Sequence, residues 1–296
     1  MLLSYWVAKS LTLNDLKIIL YLIVFEGVII LLEFSSGVRS FFVDVQFDQY
    51  AESDLLYFSR PYGIGTNSSA AASHLFMGIL LIEYLNIKKI PYLVMIVIMM
   101  CAMVFTFNRT FLLATIVFYA IKFFNSRLSI FKKSIFIFTF CIIVSSIICT
   151  YYNDILHQFT RGHNTIDLSG REEIWEFYLK FVKDNIIFGN FMYKDFTGIV
   201  QHAHNSYLHV FASGGIVLLF MYLLMILTNI NRSNAIYVIP ICISGFSQYS
   251  IFWGIGFLDI ILIYFLLINN RNLKWSRRRG HLEKRAIETK LCEVKN

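Results

Sequence analysis

Runs of about 20 apolar residues recur along most of the chain, and each is long enough to cross a ~30 Å hydrocarbon core as a helix. Charged residues make up 15% of the chain, against about 25% in a typical soluble domain. We predict an all-α polytopic membrane protein with eight transmembrane helices, because these runs are too long and continuous for barrel strands. The predicted spans are 16–34, 67–86, 90–107, 110–124, 134–152, 205–230, 233–251 and 254–270.

Lysines and arginines in the short loops predict the orientation of the spans. If the spans alternate, Lys17, Lys89, Lys122 and Arg232 fall on one side, which the positive-inside rule assigns to the cytoplasm. Residues 1–270 then form a membrane-embedded domain with both ends cytoplasmic and two long outer loops, at about 35–66 and 153–204. Residues 271–296 form a basic cytoplasmic tail, and membrane lipid is its expected partner.

The net charge of +7 does not indicate nucleic-acid binding. Much of the excess lies between Arg271 and Arg285, directly after the last predicted span. A basic cluster in that position usually anchors a protein beside anionic lipid. We therefore expect no nucleic-acid partner.

Five arginines fall on the predicted outer side, against the positive-inside trend, and are therefore candidates for function. The alternative interpretation of each is an arginine of a solvated loop, and this alternative is preferred for Arg39. The five are Arg39, Arg60, Arg109, Arg161 and Arg171.

The second outer loop contains a predicted amphipathic helix, from about Gly170 to Lys183, which is expected to lie along the membrane surface. Ser169 is a suitable N-cap, and Glu172 completes a capping box. With helical periodicity, Arg171 falls at the centre of the apolar face. A phosphate oxygen is a natural partner for a guanidinium there, although snorkelling or pairing with a nearby acid is the alternative. The apolar face comprises Ile174, Trp175, Tyr178, Phe181 and Val182.

His204 and Asn205 lie where the sixth predicted span begins. Asn205 is a plausible N-cap, so the positive end of the following helix disfavours imidazolium at His204. A neutral imidazole is suited to act as a general base, although a loop histidine is more often simply polar surface. His202 and His204 lack a carboxylate or cysteine at ligand spacing, so no metal site is predicted.

Several segments together resemble the O-antigen ligase and O-antigen polymerase superfamily of bacterial inner-membrane glycosyltransferases. The resemblance covers about residues 10–270, and it depends on the order, spacing and sidedness of the segments. The matching segments are Arg60-Pro61-Tyr62-Gly63 with Asn67, Asn108-Arg109-Thr110, Ser169-Gly170-Arg171 with Ile174-Trp175, Gly189, His204-Asn205-Ser206-Tyr207-Leu208 and Gly214-Gly215-Ile216.

The resemblance implies a GT-C-like fold and an inner-membrane enzyme whose active site is periplasmic. Such enzymes take a glycan from a polyprenyl diphosphate carrier. Ligases move it to lipid A–core and polymerases move it to another carrier-linked repeat unit. A polymerase is the preferred interpretation, because nothing in the sequence points to a lipid A–core acceptor. The expected partners are the lipid-linked donor, a glycan or lipid A–core acceptor, membrane lipid and a chain-length regulator, with no cofactor.

The resemblance also implies roles for individual residues. Arg109 and Arg171 are expected to bind the diphosphate, and His204 is expected to activate the acceptor hydroxyl, in a metal-independent and inverting displacement. The family usually has further spans upstream, so Met1 to Ala8 are interpreted either as the end of such a span or as an interfacial segment. Further substrate contacts are expected from Arg60, Arg161, His202 and Asn205.

Three alternative functions remain open from the residues. A metal-dependent transferase would use an acidic pair, for which Glu52 and Asp54 are loose candidates. A lipid flippase would use the intramembrane groups Glu26, His74 and Asp259, although the first two can pair with each other and the third with an outer arginine. An intramembrane serine protease is a remote third alternative, because the segment Ala212-Ser213-Gly214 lacks a preceding glycine.

Overall fold

A computed structural model describes residues 2–43, 60–65, 67–87, 89–160, 171–184, 186–189, 203–252 and 255–268. All regular secondary structure in these residues is helical. In chain order the helices are α1 Leu2–Ser10, α2 Leu13–Ser35, α3 Ser68–Leu85, α4 Lys89–Phe105, α5 Arg109–Phe124, α6 Ile130–Thr150, α7 Tyr152–Thr160, α8 Arg171–Asp184, α9 Ser206–Asn229, α10 Ala235–Ser244 and α11 Phe257–Ile268.

The helices agree with the predicted spans in position, although several are shorter. Among the described residues, four helices are long and apolar enough to cross a membrane, namely α2, α3, α6 and α9. Shorter apolar helices occur in α4, α10 and α11. The prediction of an all-helical, multi-pass membrane protein is therefore confirmed.

The seventh predicted span, 233–251, is wrong at its C-terminal end. The helix there is α10, which ends at Ser244 with Gly245 as its C-cap. The sequence after Gly245 turns back on the start of α9, and its backbone bonds to Ser206 instead of continuing the helix. The segment also contains polar residues such as Ser247 and Gln248. Together with the contact to Ser206, they end the helix earlier than the apolar character of the span suggested.

Helix α3 lies at the centre of the bundle, and more than half of its residues are buried. Its core side chains Leu75, Phe76 and Leu80 are fully buried. Small residues allow close approach, since a Cβ on Gly78 would lie 2.6 Å from Ile23 of α2 and 2.7 Å from the sulfur of Met99 in α4. Lipid is as apolar as these side chains, so close van der Waals packing holds such helices together.

One end of the bundle is where α3 and α5 finish, and we call it the far end. Glu83 of α3 bonds there to Lys122 of α5, and Tyr92 of α4 donates to its carboxylate at 2.7 Å. Tyr84 of α3 contacts Tyr264 of α11 through the two hydroxyls, 3.2 Å apart. Tyr84 also packs edge-on against Tyr237 of α10. These contacts join five helices at this end, namely α3, α4, α5, α10 and α11.

The opposite end is where α3, α5 and α9 begin, and we call it the site end. Each of the three helices starts with an asparagine whose side chain accepts a backbone N–H of the first turn. The three N-caps are Asn67, Asn108 and Asn205. Because the dipoles of these helices point the same way, their positive ends lie at this one end of the bundle.

The carboxylates of Glu26 and Asp259 are buried within the bundle, and His74 is half-buried. Nδ1 of His74 is 2.9 Å from Oε2 of Glu26, so the predicted pairing of these two side chains is confirmed. Asp259 is fully buried and accepts the backbone N–H of Phe252. Pairing of Asp259 with an outer arginine stays a prediction.

Ser206, the first residue of α9, holds the segment 245–252 in place. Its hydroxyl donates to the Gln248 carbonyl at 3.0 Å and accepts the N–H groups of Ser250 at 3.0 Å and Ile251 at 3.2 Å. Its own N–H donates to the Gly245 carbonyl at 2.8 Å. One buried hydroxyl therefore joins the start of α9 to the chain that follows α10.

Replacing Ser206 with alanine is expected to destabilise the protein by about 1–3 kcal/mol, because buried backbone groups lose their partner. The measurement is the thermal unfolding midpoint of the detergent-solubilised protein. Ser213→Ala is the matched control, because the Ser213 hydroxyl bonds to carbonyls of its own helix. An equal shift of the midpoint in both variants would contradict the anchoring role.

Candidate active site

Arg109 is the first residue of α5, and the contacts around it fix its position. The amide nitrogen of buried Asn108 donates to the Ser69 hydroxyl of α3 at 3.1 Å. The Thr110 hydroxyl lies 2.8 Å from that of Ser247, in the segment 245–252. Arg109 is itself half-buried. It therefore lies at the site end, between the start of α3 and the segment that Ser206 anchors.

Helix α8 presents the predicted apolar face, and the structure shows what that face covers. Tyr178 is fully buried and Val182 is 5% exposed, in a cluster with Ala203 and with Ala212 of α9. On the polar face, Lys180 lies 2.8 Å from Glu176, and this bond lowers the pKa of the Glu176 carboxyl. Arg171, the first residue of α8, is half-buried. Ser169, the predicted N-cap, lies outside the described residues.

The short turn before α9 is bound to α8. The indole N–H of Trp175 donates to the Ala203 carbonyl at 2.7 Å. The next residue, His204, has a left-handed backbone with φ of 48°, and its side chain is half-buried. Asn205 then caps α9 by accepting the N–H of Leu208 at 2.9 Å, so the predicted N-cap is confirmed.

A continuous path of contacts connects the three predicted catalytic residues. Arg171 begins the helix whose Trp175 holds Ala203, the neighbour of His204. Two residues after His204, Ser206 binds the segment 245–252, and Ser247 of that segment contacts Thr110, the neighbour of Arg109. The starts of α5, α8 and α9 are therefore brought to the same end of the bundle.

Arg60 also lies at the site end, in a loop attached to the last turn of α2. Fully buried Glu33 accepts the N–H groups of Gly63 at 2.7 Å and Phe41 at 2.9 Å, and Tyr62 donates its N–H to the Arg39 carbonyl at 2.8 Å. Sequence analysis did not identify Glu33 as the anchor of this loop, because its partners are backbone groups.

The remaining predicted site residues, Arg161 and His202, lie outside the described residues, as do Glu52 and Asp54 of the alternative acidic pair. Within the described part of the chain, no three His, Cys, Asp or Glu side chains are grouped as a metal site would require.

Three glycines of the site region make a contact that sequence reasoning missed. Gly215 has φ of 66° and ψ of −169°, which interrupts α9. The freed N–H groups of Ile216 and Val217 donate to the carbonyls of Ile186 at 2.8 Å and Ile187 at 3.4 Å. A Cβ on Gly189 would lie 2.7 Å from the backbone nitrogen of Gly214, and one on Gly215 would lie 2.1 Å from the Ile187 carbonyl oxygen.

This contact sets the position of the chain that follows α8, because two backbones touch without intervening side chains. The sequence signal for it is a glycine pair inside an otherwise apolar span, which indicates close backbone approach. The sequence alone does not identify the segment around Gly189 as the partner.

The fold and the site define a class: a multi-pass helical membrane protein with arginines and a histidine at the starts of helices that are linked at one end of the bundle. Residues 94–223 match the family model described as O-antigen ligase. This segment contains Arg109, Arg171 and His204, and its similarity to that family supports the O-antigen ligase and polymerase superfamily. The resemblance found in the sequence is thus confirmed.

Comparison with curated proteins and with solved structures gave no match.

Proposed function

We propose that this protein is a glycosyltransferase that joins polyprenyl-diphosphate-linked repeat units into a polysaccharide. The observation that supports the proposal is the series of contacts linking the starts of α5, α8 and α9, which carry Arg109, Arg171 and His204, inside the segment that matches the O-antigen ligase family. That family implies a glycosyltransferase-like enzyme.

The proposed topology has eight crossings, by α2 to α6 and α9 to α11, in the inner membrane. Lys122 lies in the last turn of α5, Arg127 follows that helix, and Arg232 follows the far end of α9. The positive-inside rule then makes the far end cytoplasmic and the site end periplasmic. Both chain ends and the basic tail, 271–296, are cytoplasmic in this arrangement.

The two arginines are suited to the donor. The bond between the anomeric carbon and the diphosphate oxygen breaks, and the carrier diphosphate leaves with the electron pair. Guanidinium groups stabilise the negative charge that develops on that oxygen, and they act most strongly where water is partly excluded. Arg109 and Arg171 are both half-buried, as this role requires. Arg60 and Arg161 are proposed as further contacts to the diphosphate or glycan.

His204 is suited to the acceptor. A new bond forms between the anomeric carbon and the acceptor oxygen, and the hydroxyl proton passes to His204. The positive end of α9 favours the neutral imidazole that can accept it. A single displacement of this kind inverts the anomeric centre. His202 is proposed to orient His204, and Asn205 contributes by fixing the start of α9 beside His204.

A ligase is the second candidate, and the description of the matching family favours it. The acceptor would then be lipid A–core instead of a second carrier-linked unit. If the protein is a polymerase, a chain-length regulator is a proposed partner. The chemistry at Arg109, Arg171 and His204 is the same in both cases.

Deletion of the gene in its native host, followed by electrophoresis of the surface glycan, tests the function. One repeat unit left on lipid A–core indicates a polymerase, and bare core with polymer still on the carrier indicates a ligase. Complementation with Arg171→Ala is expected to fail at equal protein level, whereas Arg127→Ala at the far end restores the wild-type pattern. Unchanged glycan in the deletion strain would refute both activities.

A further inference from the structure

His209 is a buried ionisable residue that the proposed mechanism does not use. It lies in the first turn of α9, five residues after His204, and is 1% exposed. Ionisable side chains inside membrane proteins are costly to keep there and are candidates for function.

The imidazole ring of His209 contacts two tyrosines from different elements. It stacks on Tyr249 of the segment 245–252, with ring centroids 3.9 Å apart and planes 30° apart. Its centroid lies 6.1 Å from that of Tyr178 in α8, with planes 37° apart. Tyr178 is fully buried. We refer to these three side chains as the aromatic cluster.

The aromatic cluster joins α8 and α9 to the segment 245–252, and that segment contacts α5 through Ser247. Tyr178 lies two turns after Arg171 on α8, and His209 follows His204 on α9. Tyr249 lies two residues after Ser247, whose hydroxyl contacts Thr110 beside Arg109. The packing of the ring of His209 therefore links the position of α8 to that of the segment that contacts the start of α5.

We propose that His209 is a positioning residue that sets the spacing of Arg171 and Arg109 for a polyprenyl diphosphate. This inference rests on the proposed function. Two guanidinium groups that bind one diphosphate must each lie within roughly 0.5 Å of the position that the ligand requires. A flat ring keeps the 3.9 Å separation from Tyr249, whereas a branched aliphatic side chain of similar volume does not stack.

Binding of undecaprenyl diphosphate to the purified, detergent-solubilised full chain tests the proposal, with variants His209→Phe, His209→Leu and His209→Ala. The phenylalanine variant is expected to bind within about threefold of wild type. The leucine and alanine variants are expected to bind about tenfold more weakly, or ~1.4 kcal/mol, at unchanged stoichiometry. A purely structural role would lower the fraction of protein that binds, without changing the Kd of the remainder.

Two results would overturn the positioning role. One is a wild-type Kd in both the leucine and alanine variants. The other is a phenylalanine variant that binds as weakly as the alanine variant, since that would assign the effect to the ring nitrogens. Undecaprenyl monophosphate serves as a second ligand, and equal weakening for both ligands would also refute a spacing defect.

Arg171→Ala in the same assay separates this inference from the proposed function. If Arg171→Ala binds undecaprenyl diphosphate as tightly as wild type, the proposed function fails. If Arg171→Ala weakens binding while His209→Ala does not, only the role of His209 fails.

Discussion

Replacing His204 with asparagine is expected to reduce glycan transfer by about 10²- to 10⁴-fold, the usual contribution of a general base. Asparagine is the informative substitution because His204 has a left-handed backbone, with φ of 48°, and asparagine tolerates that conformation better than alanine does. The variant keeps a polar side chain and the local backbone, but it cannot accept the acceptor's proton. The measurement is long-chain glycan per amount of membrane-inserted protein in a deletion strain.

His157→Asn is the matched control for this experiment. His157 is exposed in α7, within the same predicted outer loop, and its loss is expected to leave glycan transfer unchanged. Long-chain glycan at a near-normal level in the His204→Asn strain would contradict the assignment of His204 as the base.

Replacing Gly215 with alanine is expected to cost about 3 kcal/mol or more and to deplete folded protein from the membrane. The backbone conformation of Gly215, with φ of 66° and ψ of −169°, is almost confined to glycine and alone costs another residue roughly 1–3 kcal/mol. A Cβ at this position would also lie 2.1 Å from the carbonyl oxygen of Ile187 and 2.5 Å from the nitrogen of Phe188. Because both neighbours are backbone atoms, the segment 186–189 must move away, and the bonds to Ile216 and Val217 break.

Gly37→Ala separates the two causes of this loss. Gly37 also has a left-handed backbone, with φ of 68°, but a Cβ there meets nothing within 4 Å. It therefore measures the cost of a positive φ without a steric clash. Protein abundance and the thermal unfolding midpoint are compared in detergent, and equal losses in the two variants would refute backbone docking as the role of Gly215.

Local features were predictable from the sequence. The positions of the apolar helices follow from runs of apolar residues, and the capping role of Asn205 follows from its place before α9. The buried face of α8 follows from helical spacing, which placed Tyr178 and Val182 inward, as the structure shows.

Features that depend on distant contacts were not predictable. The end of α10 at Ser244 follows from the bonds that Ser206 makes to the segment after it, about 40 residues along the chain. The docking of residues 186–189 on the Gly215 kink joins two backbones that share no sequence pattern. Glu33 likewise binds backbone N–H groups, so nothing in the identity of Gly63 or Phe41 reveals the contact.

The far end also sets where this bundle can open. Glu83 joins α3 to α4 and α5, and Tyr84 joins α3 to α10 and α11, so side-chain contacts fix five helices to one another at that end. The site end, by contrast, is closed partly by the non-helical segment 245–252, which is held by the Ser206 hydroxyl, by the contact of Ser247 with Thr110 and by the stacking of Tyr249 on His209. We therefore expect a helix displacement that admits a bulky ligand to be larger at the site end than at the far end.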